Sequence, residues 1–212
     1  RFYAFFAITG HRQTIATALV VFGGYECMKK NKLFPLLFIH FVAFLIHKSS
    51  ICFLLLYFAK YVRINKLYWS VSIGAIALSF IFRRQFMAFL GELLGYESYV
   101  DWTGAVGAYT FTLLLTLLYL ATMLLYRKLP QNVDTDYAVV ALTLAMVFVS
   151  FTYVNPSAMR VVQYFSLFIM ILVPKFLQLL DARSRFLTLC VCYAVLILPL
   201  VSKMPEYAFV FS

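Results

Sequence analysis

The chain has little charge and few of the residues that mark an ordinary soluble domain. Only 12% of its 212 residues are charged and 64% are hydrophobic, whereas a soluble domain is about 25% charged and roughly 45–50% apolar. With a mean hydropathy of +0.91, the composition excludes a disordered chain. Cysteine is also scarce, with 4 residues, which excludes a disulfide scaffold. The long apolar stretches that remain are typical of a polytopic membrane protein.

Acidic residues are few as well, with 8 against 18 Lys and Arg, for a net charge of +10. The basic residues punctuate apolar runs and form no continuous stripe, so no nucleic-acid partner is expected. Cys190 and Cys192 are separated by one residue, which is not the spacing of a zinc or redox pair. We therefore expect neither a metal site nor a cofactor.

The apolar runs predict an all-α, polytopic integral membrane bundle, with residues 1–212 forming one transmembrane domain. The residues at Thr9-Gly10 predict a break, after which a first helix follows. We interpret the apolar segment before that break as the end of a helix whose beginning lies upstream, which would make the chain the C-terminal part of a longer protein. A turn is expected at Asn155-Pro156 and a loop at residues 181–185. The expected spans cover residues 12–28, 33–61, 67–82, 104–126, 137–153, 159–180 and 186–201, with a mixed segment at 83–103.

The segment 33–61 allows two interpretations, because it is too long for one ordinary span and has His47-Lys48 at its middle. As one helix it would be about 43 Å long and would place Lys48 near the bilayer centre. As a hairpin of two short arms, each about 21 Å long, it turns at His47. The hairpin places ten cations on one side of the membrane, as the positive-inside rule requires: Lys29, Lys30, Lys32, Lys60, Arg63, Lys66, Arg127, Lys128, Arg183 and Arg185. The sequence therefore favours a short helical hairpin.

Several cations then fall on the outer side, where Lys and Arg are normally depleted. Arg12 and Lys48 each lie beside a predicted helix end, and Arg160 follows the Asn155-Pro156 turn. Helix N-termini favour anions, and arginine binds phosphate in a bidentate manner. These residues predict an outward-facing anion site, for which a lipid-linked phosphate or pyrophosphate is the natural ligand. Arg83 and Arg84 fit an interfacial amphipathic segment better.

These residues also resemble a known family. Residues 10–16, G-H-R-Q-T-I-A, resemble the G-x-R-Q-x-x-A opening of a helix in the EpsG family of exopolysaccharide polymerases. Residues 44–50, F-L-I-H-K-S-S, resemble that family's A-x-x-F-H-x-S-A segment, with Ile46 for Phe and Ser50 for Ala. Weaker similarities are the pair Tyr96 and Tyr99, Arg160 followed by Tyr164, and the closing residues 205–207.

The resemblance implies a Wzy-like, metal-independent glycosyltransferase. Such a polymerase joins undecaprenyl-pyrophosphate-linked oligosaccharide repeat units at the outer face of the bacterial inner membrane. The implied partners are that substrate and membrane lipids, and a chain-length regulator and export proteins are further candidates.

Each candidate residue then has an expected role. Arg12 and Arg160 would stabilise the leaving pyrophosphate, with help from Lys48. His47 is the preferred base, and Asp101 or Glu97 is the alternative. Gln13, Tyr96, Tyr99 and Tyr164 complete the expected substrate site.

Three other functions stay open. A lipid-linked sugar flippase or exporter would carry polar residues along whole helix faces, and the helices after residue 104 have few. A membrane acyltransferase would use His47 as its base, but no acidic partner lies nearby in the sequence. The third is a non-catalytic assembly subunit of an exopolysaccharide system.

Overall fold

The structure, a computed structural model, describes the backbone of residues 2–94 and 108–190 and the side chains of residues 10–89 and 108–190. Within these ranges the chain folds entirely into helices joined by short turns. Two of the helices are long and apolar enough to cross a membrane, and four spans result if each of two bent helix pairs counts as one. The chain is an all-α helical bundle of an integral membrane protein. That residues 1–212 form a single domain stays a prediction.

The first helical path is continuous, which corrects the predicted break at Thr9-Gly10. It consists of α1 (Phe2–Ala18), a π-helical segment (Leu19–Gly24) and α2 (Tyr25–Lys29). A single glycine weakens a helix by only about 1 kcal/mol relative to alanine, and the Thr14 hydroxyl bonds back to the Gly10 carbonyl at 2.9 Å. Further along, Gly24 allows a close approach, because a Cβ there would lie 2.9 Å from the His40 ring.

The predicted hairpin is confirmed. After a turn in which Asn31 has a positive φ of 53°, α3 (Leu33–Ile46) runs to His47, whose extended backbone ends the helix. A second helix, Lys48–Tyr61, then returns along α3 and packs against it. We call this second helix the 3-10 arm, because its helical type is 3-10 throughout.

The type of the returning arm differs from the expectation of two α-helical arms. A 3-10 helix rises about 2.0 Å per residue, so these 14 residues reach about 28 Å at that rise and nearly match a bilayer core of about 30 Å. Three residues per turn also place every third side chain on one face. The buried residues follow that period: Ser50, Phe53, Leu56 and Ala59.

The next helices bend sharply at a predicted boundary. Helix α4 (Lys66–Ile81) is capped by the Asn65 side chain, which accepts from the Tyr68 amide at 2.9 Å. Helix α5 (Arg83–Leu94) leaves α4 at 77°, in the segment expected to be mixed. Arg83 Nη1 donates to the Phe80 carbonyl at 2.8 Å and thereby satisfies a carbonyl at the end of α4.

Helix α7 (Val133–Val149) is the centre of the bundle. It is buried along most of its length and packs against α4, α6 (Tyr109–Leu125), the 3-10 arm, α8 (Met159–Ser166) and α9 (Ile169–Gln178). By contrast, α6 is mostly exposed, although it is equally apolar. The apolar surface of α6 therefore lies on the outside of the described bundle.

The span predicted at residues 159–180 is broken, because α8 and α9 meet at an angle of 49°. Around the break the amides of Phe168 and Met170 bond to carbonyls three residues back. Pro174 also lacks the N–H that would bond the Met170 carbonyl. The loop predicted at 181–185 is shorter than expected, since residues 182–190 are helical and Asp181 caps them by accepting from the Arg183 and Ser184 amides. Residues 95–107, including the start of the span predicted at 104–126, and the end of the span predicted at 186–201 lie outside the described residues.

Polar contacts join the basic turns at one end of the bundle, which we call the basic end. Lys29 pairs with Asp134 at 2.9 Å, and Lys60 donates to Asn31 at 3.1 Å. Lys175 donates to Asn132, the N-cap of α7, at 2.9 Å. The turn at His47 lies at the other end of α3, which we call the site end.

Candidate functional site

Three segments that are distant in sequence meet at the site end. Helix α1 contributes Gln13, the hairpin turn contributes His47 and Ser49, and α8 contributes Arg160 and its neighbours. The hairpin brings these segments together, because α3 runs back along α1 and places the turn at His47 near Gln13. The sequence predicted that cations lie on this side of the membrane, but it did not predict which of these segments are in contact.

Gln13 ties α1 to α8. Its amide nitrogen donates to Gln163 Oε1 at 2.6 Å and approaches the Arg160 carbonyl at 3.4 Å. Gln163 lies three residues after Arg160, so both residues project from the same side of α8. The pair presents amide groups beside the arginine, and such groups can bind the oxygens of a phosphate or a sugar.

His47 and Arg160 are electrostatically close. Burial lowers the pKa of His47 below its ordinary value of 6.5, and the charge of Arg160 lowers that pKa further. The ring nitrogen Nε2 of His47 is buried and has no hydrogen-bond partner among the described residues. A buried polar atom without a partner is costly. The arrangement therefore offers a neutral imidazole that can accept a proton, next to a permanent positive charge.

Hydroxyl groups lie below the turn. Ser49 donates to the Tyr164 hydroxyl at 3.5 Å, and Tyr164 is fully buried. The Ser50 hydroxyl is also buried and has no partner in the part of the chain that the structure describes. Tyr164 thus supports the turn from beneath, and its hydroxyl lies within range of the Arg160 charge.

The structure brings together only part of the predicted site. Gln13, His47, Arg160 and Tyr164 form one cluster with the hairpin turn. Arg12 lies one residue before Gln13 and is exposed, and it forms no hydrogen bond or ion pair with the described residues. Lys48 is exposed on the turn itself. The remaining predicted residues lie outside the described residues: Tyr96, Glu97, Tyr99 and Asp101.

Gln163 was missed by the sequence reasoning. The signal that could have found it is its position, since a polar residue three places after Arg160 lies on the same side of the helix.

Among residues 10–89 and 108–190, no three His, Cys, Asp or Glu side chains group closely enough to hold a metal ion.

Comparison with known proteins assigns the chain to a family. Neither a curated protein nor a solved structure matches the chain. The family model described as the EpsG family matches residues 1–211, which is essentially the whole chain. With its helical membrane fold, the chain therefore belongs to the EpsG family of exopolysaccharide-related membrane proteins.

Proposed function

We propose that this protein is a polysaccharide polymerase, a glycosyltransferase that joins undecaprenyl-pyrophosphate-linked oligosaccharide repeat units. The observation that carries the proposal is the placement of His47 beside Arg160 at the hairpin turn. Family membership supports the exopolysaccharide context, and the turn supplies groups that suit the chemistry.

The reaction needs a base for the acceptor and a counter-charge for the leaving group. A hydroxyl oxygen of the acceptor sugar attacks the anomeric carbon of the donor unit, and the bond from that carbon to the pyrophosphate oxygen breaks. His47 accepts the hydroxyl proton, and its lowered pKa favours the neutral imidazole that this role requires before the step. The undecaprenyl pyrophosphate leaves with the bonding electron pair.

Arg160 stabilises the negative charge that develops on the pyrophosphate, an interaction that strengthens as the bond breaks. The Gln13–Gln163 pair orients phosphate or sugar oxygens beside it. Arg12 and Lys48 are exposed next to Gln13 and His47 in the sequence. They are further candidates for binding the negatively charged phosphates. Tyr96, Tyr99 and Asp101 stay predicted contacts to the sugars.

The proposal places the site at the outer face of the bacterial inner membrane. The distribution of cations supports this orientation, since the basic end carries the loops that the positive-inside rule assigns to the cytoplasm. Lipid-linked repeat units in the outer leaflet would then reach the site from within the membrane. A chain-length regulator and export proteins are the expected partners.

The test uses the full-length protein, purified and given a lipid-linked repeat unit. His47→Gln and Arg160→Gln should each lower the rate of chain extension by about 100-fold or more, the usual range for loss of a general base or of a charge at a leaving group. Gel separation of the lipid-linked products measures extension.

Matched controls are His11→Gln and Arg84→Gln, which change the same residue types at exposed positions outside the cluster. Both should extend chains at the unaltered rate. Full extension by His47→Gln and Arg160→Gln would contradict the proposal. If the unaltered protein moves the lipid-linked unit between leaflets without lengthening it, the function is that of a flippase.

A further inference from the structure

A long groove runs down the bundle from the candidate site. It lies between the first helical path, from α1 to α2, on one side and α8 and α9 on the other, and its volume is about 930 Å³. From Gln13 to Tyr25 the wall formed by this path covers thirteen residues, or about 18 Å for twelve steps of about 1.5 Å each. The groove therefore reaches through more than half of a bilayer core about 30 Å thick.

The polarity of the groove changes along its length. At the site end its walls carry amides and hydroxyls, from Gln13, Thr17 and Gln163. Deeper, the walls are apolar: Val21, Phe22, Leu167, Phe168, Met170 and Ile171. At the bottom stands Tyr25, whose hydroxyl donates to Asp134 of the basic end at 2.6 Å.

The apolar rims are open. Phe22 in the π-helical segment is 76% exposed and Met170 on α9 is 74% exposed. The groove is thus accessible from the side of the bundle.

We propose that this groove holds the polyprenyl chain of a lipid-linked pyrophosphate, with the phosphate end at Gln13 and Arg160. This proposal rests on the proposed function and names where that substrate's lipid binds. Two observations select this occupant. The groove is continuous with the amide pair next to Arg160 at the candidate site. Its polarity, with amides at that end and apolar walls beyond, matches an amphiphile with a polar head and a long apolar tail.

A free sugar or a free phosphate would use only the polar end. The apolar walls of the groove contribute to binding only when the ligand carries an attached apolar chain that covers them. Binding in the groove would also hold the pyrophosphate at one height beside Arg160, so that the chain positions the reacting bond.

The first experiment fills the groove. Ala18→Trp places a large ring on the exposed α1 wall, and Ala77→Trp makes the same change on the exposed side of α4, away from the groove. The probes are undecaprenyl pyrophosphate and the short-chain geranyl pyrophosphate, and binding to the purified full-length protein is measured for each.

The unaltered protein and Ala77→Trp should bind the long-chain probe more tightly than the short one. Ala18→Trp should bind the long-chain probe about tenfold or more weakly, a loss equivalent to about 1.4 kcal/mol, and should bind the short probe as before. Equal binding of the long-chain probe by both tryptophan variants would overturn the proposal.

The second experiment identifies the occupant. A photoreactive phenylalanine analogue replaces Met170, and the illuminated membrane protein is analysed by mass spectrometry. A cross-link to a polyprenyl lipid supports the proposal. A cross-link to residues 191–212 of the same chain, to another protein or only to bulk phospholipid overturns it.

Failure of this inference is distinguishable from failure of the proposed function. If Ala18→Trp keeps its long-chain binding while Arg160→Gln stops extension, the polymerase stands and the groove proposal falls. If the long-chain probe binds as expected but no variant or condition extends chains, the groove stands as a lipid site and the polymerase proposal falls.

Discussion

At the scale of single residues, the informative feature is the His47 ring, which lies near Arg160 and whose Nε2 has no hydrogen-bond partner among the described residues. His47 has an extended backbone that ends α3, and its ring is half-buried. The sequence alone singled out Arg160 as a cation on the outer side and His47 as the best-placed titratable residue at the hairpin turn. It could not show that they meet, since 112 residues separate them and the contact depends on how α8 packs against the hairpin.

The pairing of His47 with Arg160 predicts a specific titration. The pKa of His47 should lie below 6.5, because burial and the Arg160 charge both disfavour the protonated ring. Arg160→Gln should raise that pKa, and Arg84→Gln should leave it unchanged. Nuclear magnetic resonance of the labelled histidine rings measures both shifts, with His47→Gln used to assign the signal.

The lowered pKa of His47 also determines how the stability of the folded protein depends on pH. Since the folded state has the lower pKa, protons bind the unfolded state more readily. The contribution of His47 to folding stability is fully present above its ordinary pKa of 6.5. It is lost as the pH falls toward the pKa that His47 has in the folded protein.

An unchanged His47 pKa in Arg160→Gln would show that the two residues do not interact.

At the scale of elements, the 3-10 arm is the feature that sequence reasoning did not anticipate. The hairpin itself followed from charge, because only a turn at His47 keeps ten cations together. The helical type did not follow, since long 3-10 helices are uncommon and both arms are continuously apolar. In retrospect, Ser50 and Ala59, which are small or polar, lie on one face of the arm, where every third residue is buried.

The 3-10 arm predicts a pattern of lipid exposure. Spin labels placed singly along residues 53–61 should collide least with oxygen dissolved in the lipid at 53, 56 and 59, which are the buried positions. Helix α3 is the internal control, because its buried residues Leu36, His40 and Ala43 follow the α-helical spacing. Electron paramagnetic resonance measures the collision rates. Minima at 53, 57 and 60 would show an α-helical arm instead.

At the scale of the whole molecule, the two ends of the bundle differ in chemistry. The basic end is closed by ion pairs and hydrogen bonds that join α2, α7 and α9, such as Lys29 to Asp134 and Lys175 to Asn132. The site end holds partly satisfied polar groups around one histidine. Composition and spacing predicted seven spans, and the described residues give two spanning helices, or four if each bent pair counts as one. The central position of α7 could not be read from composition, because α6 is as apolar and lies outside.

This division predicts the orientation of the protein in the membrane. In a variant without native cysteines, Lys48→Cys should react with an impermeant maleimide added outside intact cells. Arg63→Cys and Arg127→Cys should react only after the membrane is opened, because their turns belong to the basic end. Labelling of Lys48→Cys and Arg63→Cys from the same side would contradict the hairpin topology.

The 3-10 arm has a consequence for how the protein can change during evolution. Loss or gain of one residue within the arm would rotate everything beyond it by about 120°, which would turn Phe53 or Leu56 out of the core. Only length changes in steps of three would preserve the buried stripe, and each step would move the His47 turn by about 6 Å. The arm therefore tolerates substitution on its lipid face far better than a shift in length.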